Sequence, residues 1–149
     1  MADFIPNVTL EDLEILKHRK LFTYWQEIKG DREMPSRADF SPLKLPEILP
    51  SIILADVHRD PLRFKIRLAG TQVVSVSGLE PTGGWVDDFP HTEKIIDRYS
   101  WIVKHKKPYL TEDKLRWVLK NFKKYSGLAL PFSTDGENVD IIISCNHYY

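Results

Sequence analysis

The chain has 149 residues and a mass of 17.4 kDa, which is room for one domain and not for two complete ones. Lys plus Arg and Asp plus Glu both number 21, so no net field gathers nucleic acid or an anionic membrane, and neither is expected as a partner. The single cysteine, Cys145, excludes an internal disulfide framework and a metal site built from several thiolates, and mean hydropathy of −0.32 with only short apolar runs excludes membrane insertion. With neither the basic start nor the apolar block of a signal peptide at Met1-Ala2-Asp3-Phe4, the expectation is a soluble, cytoplasmic protein.

Residues 9–29 carry the marks of a helix: Thr9 as cap, Asp12 at the capping-box spacing, Glu11 and Glu14 at the positive end, Gly30 as terminator. Its second half presents Leu21, Phe22, Tyr24, Trp25 and Ile28 over an arc of about 160°, wider than one core contact needs. The arc is either one broad intramolecular surface or a face shared with a partner chain. From Met34 to Pro50, Pro35, Pro42, Pro46 and Pro50 forbid a long helix and predict an extended connector, and Phe40, Leu43, Leu45, Ile48 and Leu49 hold it against the domain.

A strand is predicted over 51–58 and another over 63–69, where Phe64, Ile66 and Leu68 alternate with Arg63, Lys65 and Arg67, joined by a turn at Arg59-Asp60-Pro61-Leu62. Thr71 to Gly78 reads as a short helix closed by glycine, and Thr92 to Lys106 as a longer one ending before Pro108, with Ile95, Ile96, Tyr99, Ile102 and Val103 on one face and Trp101 pointing away. Tyr109 to Leu119 reads as a strand. Leu128, Leu130 and Phe132 mark the next, Asp135-Gly136 the turn, and Val139 to Tyr148 the return. The order, helix, two strands, helices, three strands, predicts an α+β fold with an antiparallel sheet of five strands.

That order, together with several stretches of sequence, resembles a bacterial PAS-like family of small, mostly single-domain proteins. The stretches are Tyr24-Trp25, the run from Pro35 to Pro42 with Leu49-Pro50, the block from Phe64 to Thr71, the turn from Gly78 to Gly83, and Leu128-Ala129-Leu130-Pro131-Phe132. The resemblance implies a PAS-like five-stranded sheet with a helical crossover over residues 51–149, preceded by a helical extension and connector over 1–50. It implies a sensory role or dimerisation, with the N-terminal helix as the dimer or signal-transfer element, and it carries over no binding residue.

Chemistry-bearing motifs are sparse. His91-Thr92-Glu93 has the spacing of a zinc deaminase signature, but the two further thiolates such a site needs are missing from a chain with one cysteine. Cys145 and His147 share a strand face with Cβ atoms about 7 Å apart and no orienting third group. His105 sits among Lys104, Lys106 and Lys107 in a solvated helix end, unsuited to haem, and the only cysteine falls in the last strand, away from where flavin photochemistry would need it. No catalytic residue, metal, haem or flavin is expected.

The aromatic side chains are more informative, since Trp85, Phe89, Tyr99 and Trp117 fall on elements that would face one another across a PAS cavity. They form either an ordinary packed core or, with Phe64, Ile102, Leu128 and Ile143, the wall of an apolar ligand pocket, whose candidate polar anchors are Thr111 and Asp113 unless the strand begins after Asp113 and exposes them. Leu21, Phe22, Trp25 and Ile28 are the expected homodimer face. Lys104 to Lys107 and Lys120 to Lys124 form two lysine clusters at what can be one edge of the sheet, a place for an anionic messenger or an acidic partner, or simply solvated surface. The functional expectation is a non-enzymatic sensor that binds a small apolar ligand or a signalling protein partner and dimerises through its first helix. A ligand-free interaction adaptor and a small-molecule enzyme without a recognisable site are the alternatives.

Overall fold

Alternation along the strands divides the molecule into the two sides of one sheet. The computed structural model describes residues 4–114 and 124–149. Six strands, β1 (Phe4–Pro6), β2 (Ile52–His58), β3 (Arg63–Ala69), β4 (Tyr109–Lys114), β5 (Lys124–Phe132) and β6 (Ile141–Tyr148), form an antiparallel sheet in the order β1-β4-β5-β6-β2-β3. With α1 (Leu16–Lys29), α2 (Thr71–Ser77) and α3 (Glu93–His105) the fold is α+β. The two hairpins read from the sequence are present, and α2 and α3 form the crossover between β3 and β4. The sixth strand is β1, three residues that pair with Thr111 to Tyr109 of β4. Phe4-Ile5-Pro6 is too short for a periodic signal, and its proline suits a sheet edge. Its Phe4 ring lies edge-on to Trp101 at 5.5 Å while His105 stacks on the same indole at 4.7 Å, which explains the tryptophan that the apolar face of α3 leaves out.

On one side of the sheet, the cross-strand pairs Leu128–Cys145, Leu130–Ile143 and Phe132–Ile141, with Ile52 and Leu54 of β2, pack against Leu21, Phe22 and Trp25 of α1. On the other, Ala55, Ala129 and Ile142 meet Tyr99 and Ile102 of α3 together with Phe64 and Ile66 of β3. Along the middle of β5 and β6 the second side carries Gly127, Ala129, Ser144 and Asn146, between Tyr125 and Tyr148 at one end and Ile142 at the other.

The wide apolar arc of α1 is therefore covered by the chain itself. Leu21, Phe22 and Trp25 are 0%, 3% and 4% exposed, and Ile28 is half-buried against the same cluster, so these four side chains do not form a free dimer face. Each fully buried one contributes about 1.5–3 kcal/mol of burial. Polar contacts fix how the helix sits: Trp25 Nε1 donates to the Pro131 carbonyl at 3.0 Å, and His18 Nε2 lies 3.0 Å from the Cys145 carbonyl. The helix is also shorter than the sequence suggests. Thr9 N donates to Asp12 Oδ2 at 2.9 Å to close a single 3-10 turn over Leu10–Asp12, the backbone stays extended at Leu13 and Ile15, and α1 begins at Leu16. The capping box belongs to the turn and not to the helix.

A bulge in the β2-β3 ladder, where Leu54 pairs with Leu68 but Ala55 with Ile66, reverses the facing of β3 beyond Ile66. Phe64 and Ile66 point toward α3, whereas Leu68 emerges on the α1 side and is 46% exposed. Straight alternation over 63–69 thus holds only as far as Ile66.

Candidate ligand-binding site

Gly127, Ala129, Ser144 and Asn146, in the middle of β5 and β6, are too small to fill the space beneath α3, and two hollows result. The first, of about 120 Å³, lies between Val73, Val76 and Leu79 around α2, Val86 and Phe89 of the crossover, Ile95 and Tyr99 of α3, and Tyr125, Asn146 and Tyr148 of the sheet. An apolar void of about 150 Å³ holds a benzene-sized molecule, so the space suits a short chain or a single ring. Leu79, 40% exposed, and the exposed Pro90 carry the hollow to the surface and form its mouth. The second hollow, of about 40 Å³, shares Ile53, Ile95, Tyr99, Tyr125 and Asn146 with the first and continues past them to Arg98, Tyr109, Thr111, Gly127 and Ser144. Gly127 keeps it open, since a Cβ there would approach Asn146 Oδ1 to 2.9 Å.

Polar groups are few, and most are paired. Tyr99 OH and Ser144 Oγ are 3.1 Å apart, Asn146 Nδ2 donates to Tyr148 OH at 3.2 Å, and Thr92 Oγ1 donates to the Phe89 carbonyl at 3.0 Å. Burial raises the phenols: Tyr148 is pushed up to about 12, and Tyr99, Tyr109 and Tyr125 are raised too, so all four remain neutral at physiological pH. Among the described residues lining the first hollow there is no carboxylate, imidazole or thiol. Cys145 faces the α1 side, where burial pushes its thiol up to about 12, far from the thiolate a nucleophile requires.

Two of the expected wall residues, Phe89 and Tyr99, line the first hollow. Phe64 and Ile102 lie in the packed core on the same side of the sheet, Phe64 edge-on to Tyr99 at 5.3 Å. Leu128 and Ile143 point to α1, one residue out of phase with the cavity. Trp85 is a half-buried clamp at the β3 edge: Arg63 lies over its ring at 4.2 Å, His58 meets it edge-on at 4.9 Å, and Arg63 in turn holds Asp87 at 3.0 and 3.1 Å. Trp117 falls outside the described residues, as do Lys120 and Lys123 of the second lysine cluster. Lys124 pairs in register with Lys114 at the far end of β4 from Lys104 to Lys107, about 17 Å along the strand, so those lysines do not converge. Of the candidate anchors, Thr111 lines the second hollow and Asp113 ion-pairs with Arg98 at 3.5 Å. The sequence reading passes over most of the wall, including Val73, Val76, Val86 and Ile95 of the first hollow, Arg98 of the second, and Tyr125 and Asn146 between them. The signal for the hollows is the run Gly127, Ala129, Ser144 and Asn146 on β5 and β6, a deficit of volume, whereas aromatic residues mark volume already filled.

A family model described as the PAS domain matches residues 14–89 of the chain, a span that includes α1, the connector, β2, β3 and α2. No curated protein matches the sequence. Among solved structures, the crystal structure of a sensory box sensor histidine kinase from Vibrio cholerae is similar at a TM-score of 0.50 and 16% sequence identity, covering 72% of this chain and 90% of that one, a likeness of fold. No helix among the described residues is long and apolar enough to cross a membrane. With the strand order β4-β5-β6-β2-β3 interrupted by a helical crossover, and with more than half of its length matched, the chain belongs to the PAS domain family.

Proposed function

We propose that this protein is a non-enzymatic, cytoplasmic sensor whose input is a small, largely apolar ligand bound between α2, α3 and the sheet, and whose output is contact with a signalling protein. The family supports a sensory or signalling role. The observation that carries the ligand reading is the hollow of about 120 Å³ walled by Val73, Val76, Val86, Phe89 and Ile95, open at Leu79 and Pro90. Such a site binds by removing apolar surface from water and uses a few polar groups for orientation. A ligand with greater affinity for one packing of α2 and α3 on the sheet shifts the population toward it, and the shift is the signal.

Native mass spectrometry of the full chain tests the reading. The expected spectrum shows retained small-molecule mass that is lost on denaturation and absent from Val76→Trp, which fills the hollow. A spectrum free of adduct, with no rise in Tm from a panel of small apolar compounds, would overturn the ligand input. The same spectrum gives the stoichiometry, and the expected homodimer has to use a surface other than Leu21, Phe22 and Trp25, which the chain buries in itself. An adaptor that binds only protein is the second reading, favoured by the apolar groove of about 550 Å³ beside Phe40, Pro42, Pro46 and the exposed Leu68.

A further inference from the structure

Arg98 is an anomaly in an otherwise apolar and neutral cavity. It projects from α3 into the second hollow with a side chain only 11% exposed, and its buried Nη1 atom makes no hydrogen bond among the described residues, only a long ion pair to Asp113 Oδ2 at 3.5 Å. Among the described residues Asp113 is its ionic neighbour, and that carboxylate is shared with Lys94 at 3.6 Å. Two cations around one carboxylate leave a surplus positive charge, and a buried guanidinium whose anionic contact is long and shared gains from a closer acceptor. Tyr125, part of the wall between the two hollows, has its phenol drawn downward by the charge of Arg98 against the larger effect of burial.

A second donor converges on the same place. Tyr99 OH and Ser144 Oγ both line the second hollow and hydrogen-bond each other at 3.1 Å; one hydroxyl donates in that bond, and the other keeps a proton to give. The space is about 40 Å³, suited to a flat two-oxygen head and tight for a tetrahedral phosphate. Arg pairs with a carboxylate through parallel N–H donors in one plane.

We propose that the second hollow is a head-group site in which Arg98 and the Tyr99–Ser144 hydroxyl pair receive the carboxylate of a small amphipathic acid, with its hydrocarbon body in the apolar hollow beyond Ile95 and Tyr125. The inference rests on the ligand reading above and names its chemical class: monocarboxylates with a short aliphatic chain or a single ring. Arg98 supplies the charge-assisted bond, Gly127 the room for the head group, and Val73, Val76 and Phe89 the contact with the body.

Calorimetric titration of the full chain with octanoate, octanamide and octylamine tests the assignment. Octanoate is expected to bind at least tenfold more tightly than octanamide, with octylamine weakest. In Arg98→Met the octanoate and octanamide affinities are expected to converge, and in Val76→Trp both are expected to be lost. Equal affinity of the wild-type protein for octanoate and octanamide overturns the carboxylate site without any variant and leaves the apolar ligand reading standing. So does a preference for octanoate that survives Arg98→Met. Octanoate binding that survives Val76→Trp places the acid elsewhere and overturns the proposal, and failure of all three compounds to bind removes the apolar ligand reading as well.

Discussion

His18 shows how one side chain is read from its surroundings. It is 1% exposed under α1, and because a carbonyl can only accept, its contact with the Cys145 oxygen places the neutral ring's proton on Nε2. Burial, with smaller contributions from the charges of Lys17 and His147, depresses its pKa to about 4 against a partial opposing effect of the Cys145 hydrogen bond. The unfolded chain therefore binds the proton first as pH falls, near 6.5, and the folded chain only near 4. Stability is full above the unfolded value and declines between pH 6.5 and 4, by at most about 3 kcal/mol from this residue. Urea unfolding at pH 7 and pH 4.5 should show the loss, and His18→Gln should flatten it; an unchanged slope in that variant would assign the pH dependence to other groups. The cue for its position lies in the sequence, but the arc read there begins only at Leu21: His18 precedes Leu21, Phe22 and Trp25 by three, four and seven residues, the spacing of one helical face. The partner carbonyl, 127 residues away, has no such cue.

At the scale of elements, the junction between β3 and α2 leaves no room for a side chain at Gly70. A Cβ on Gly70 would overlap the carbonyl oxygens of Leu49 and Pro50, while Gly70 N donates to the Ile52 carbonyl at 2.7 Å. The backbone dihedrals of Gly70 are ordinary, φ −66°, so the requirement for glycine is steric. Both obstructing atoms are backbone and cannot rotate aside, which puts Gly70→Ala at the upper end of overpacking costs, about 3 kcal/mol. A urea midpoint that does not move would show that the connector yields freely there. Element identity followed from periodicity for α2, α3 and both hairpins, because each has a run long enough to repeat and a glycine or turn to end it. Three features escaped for the opposite reason: β1 is three residues long, the bulge opposite Leu54 and Ala55 changes facing without changing composition, and the Thr9–Asp12 capping box closes one turn as readily as it starts a helix.

For the molecule as a whole, the first 50 residues and the sheet share one packed cluster. Val8, Leu13, Leu21, Phe22, Trp25, Phe40 and Ile48 are buried together with Ile52, Leu54, Leu128, Leu130, Phe132 and Ile143. We expect one cooperative transition, with Trp fluorescence and far-UV circular dichroism coincident in urea, and we expect residues 51–149 expressed alone to aggregate through the bared sheet face. A soluble, folded 51–149 fragment would show that the extension is dispensable. The overall architecture was readable from the order of elements. The site was readable only in part, since Phe89 and Tyr99 lie where expected but Leu128 and Ile143 do not, and a strand's facing cannot be fixed until its partner on each side is known.

The interleaving of bulky and small residues on β5 and β6 bears on how the chain finds its pairing. Sliding β5 by one position would drive Leu128 and Leu130 into the hollow and set Gly127 and Ala129 beneath Trp25, jamming one layer while starving the other. The empty space beside α3 thus serves as a gauge: correct alignment is the arrangement in which the void falls on the α3 side and the α1 side is filled.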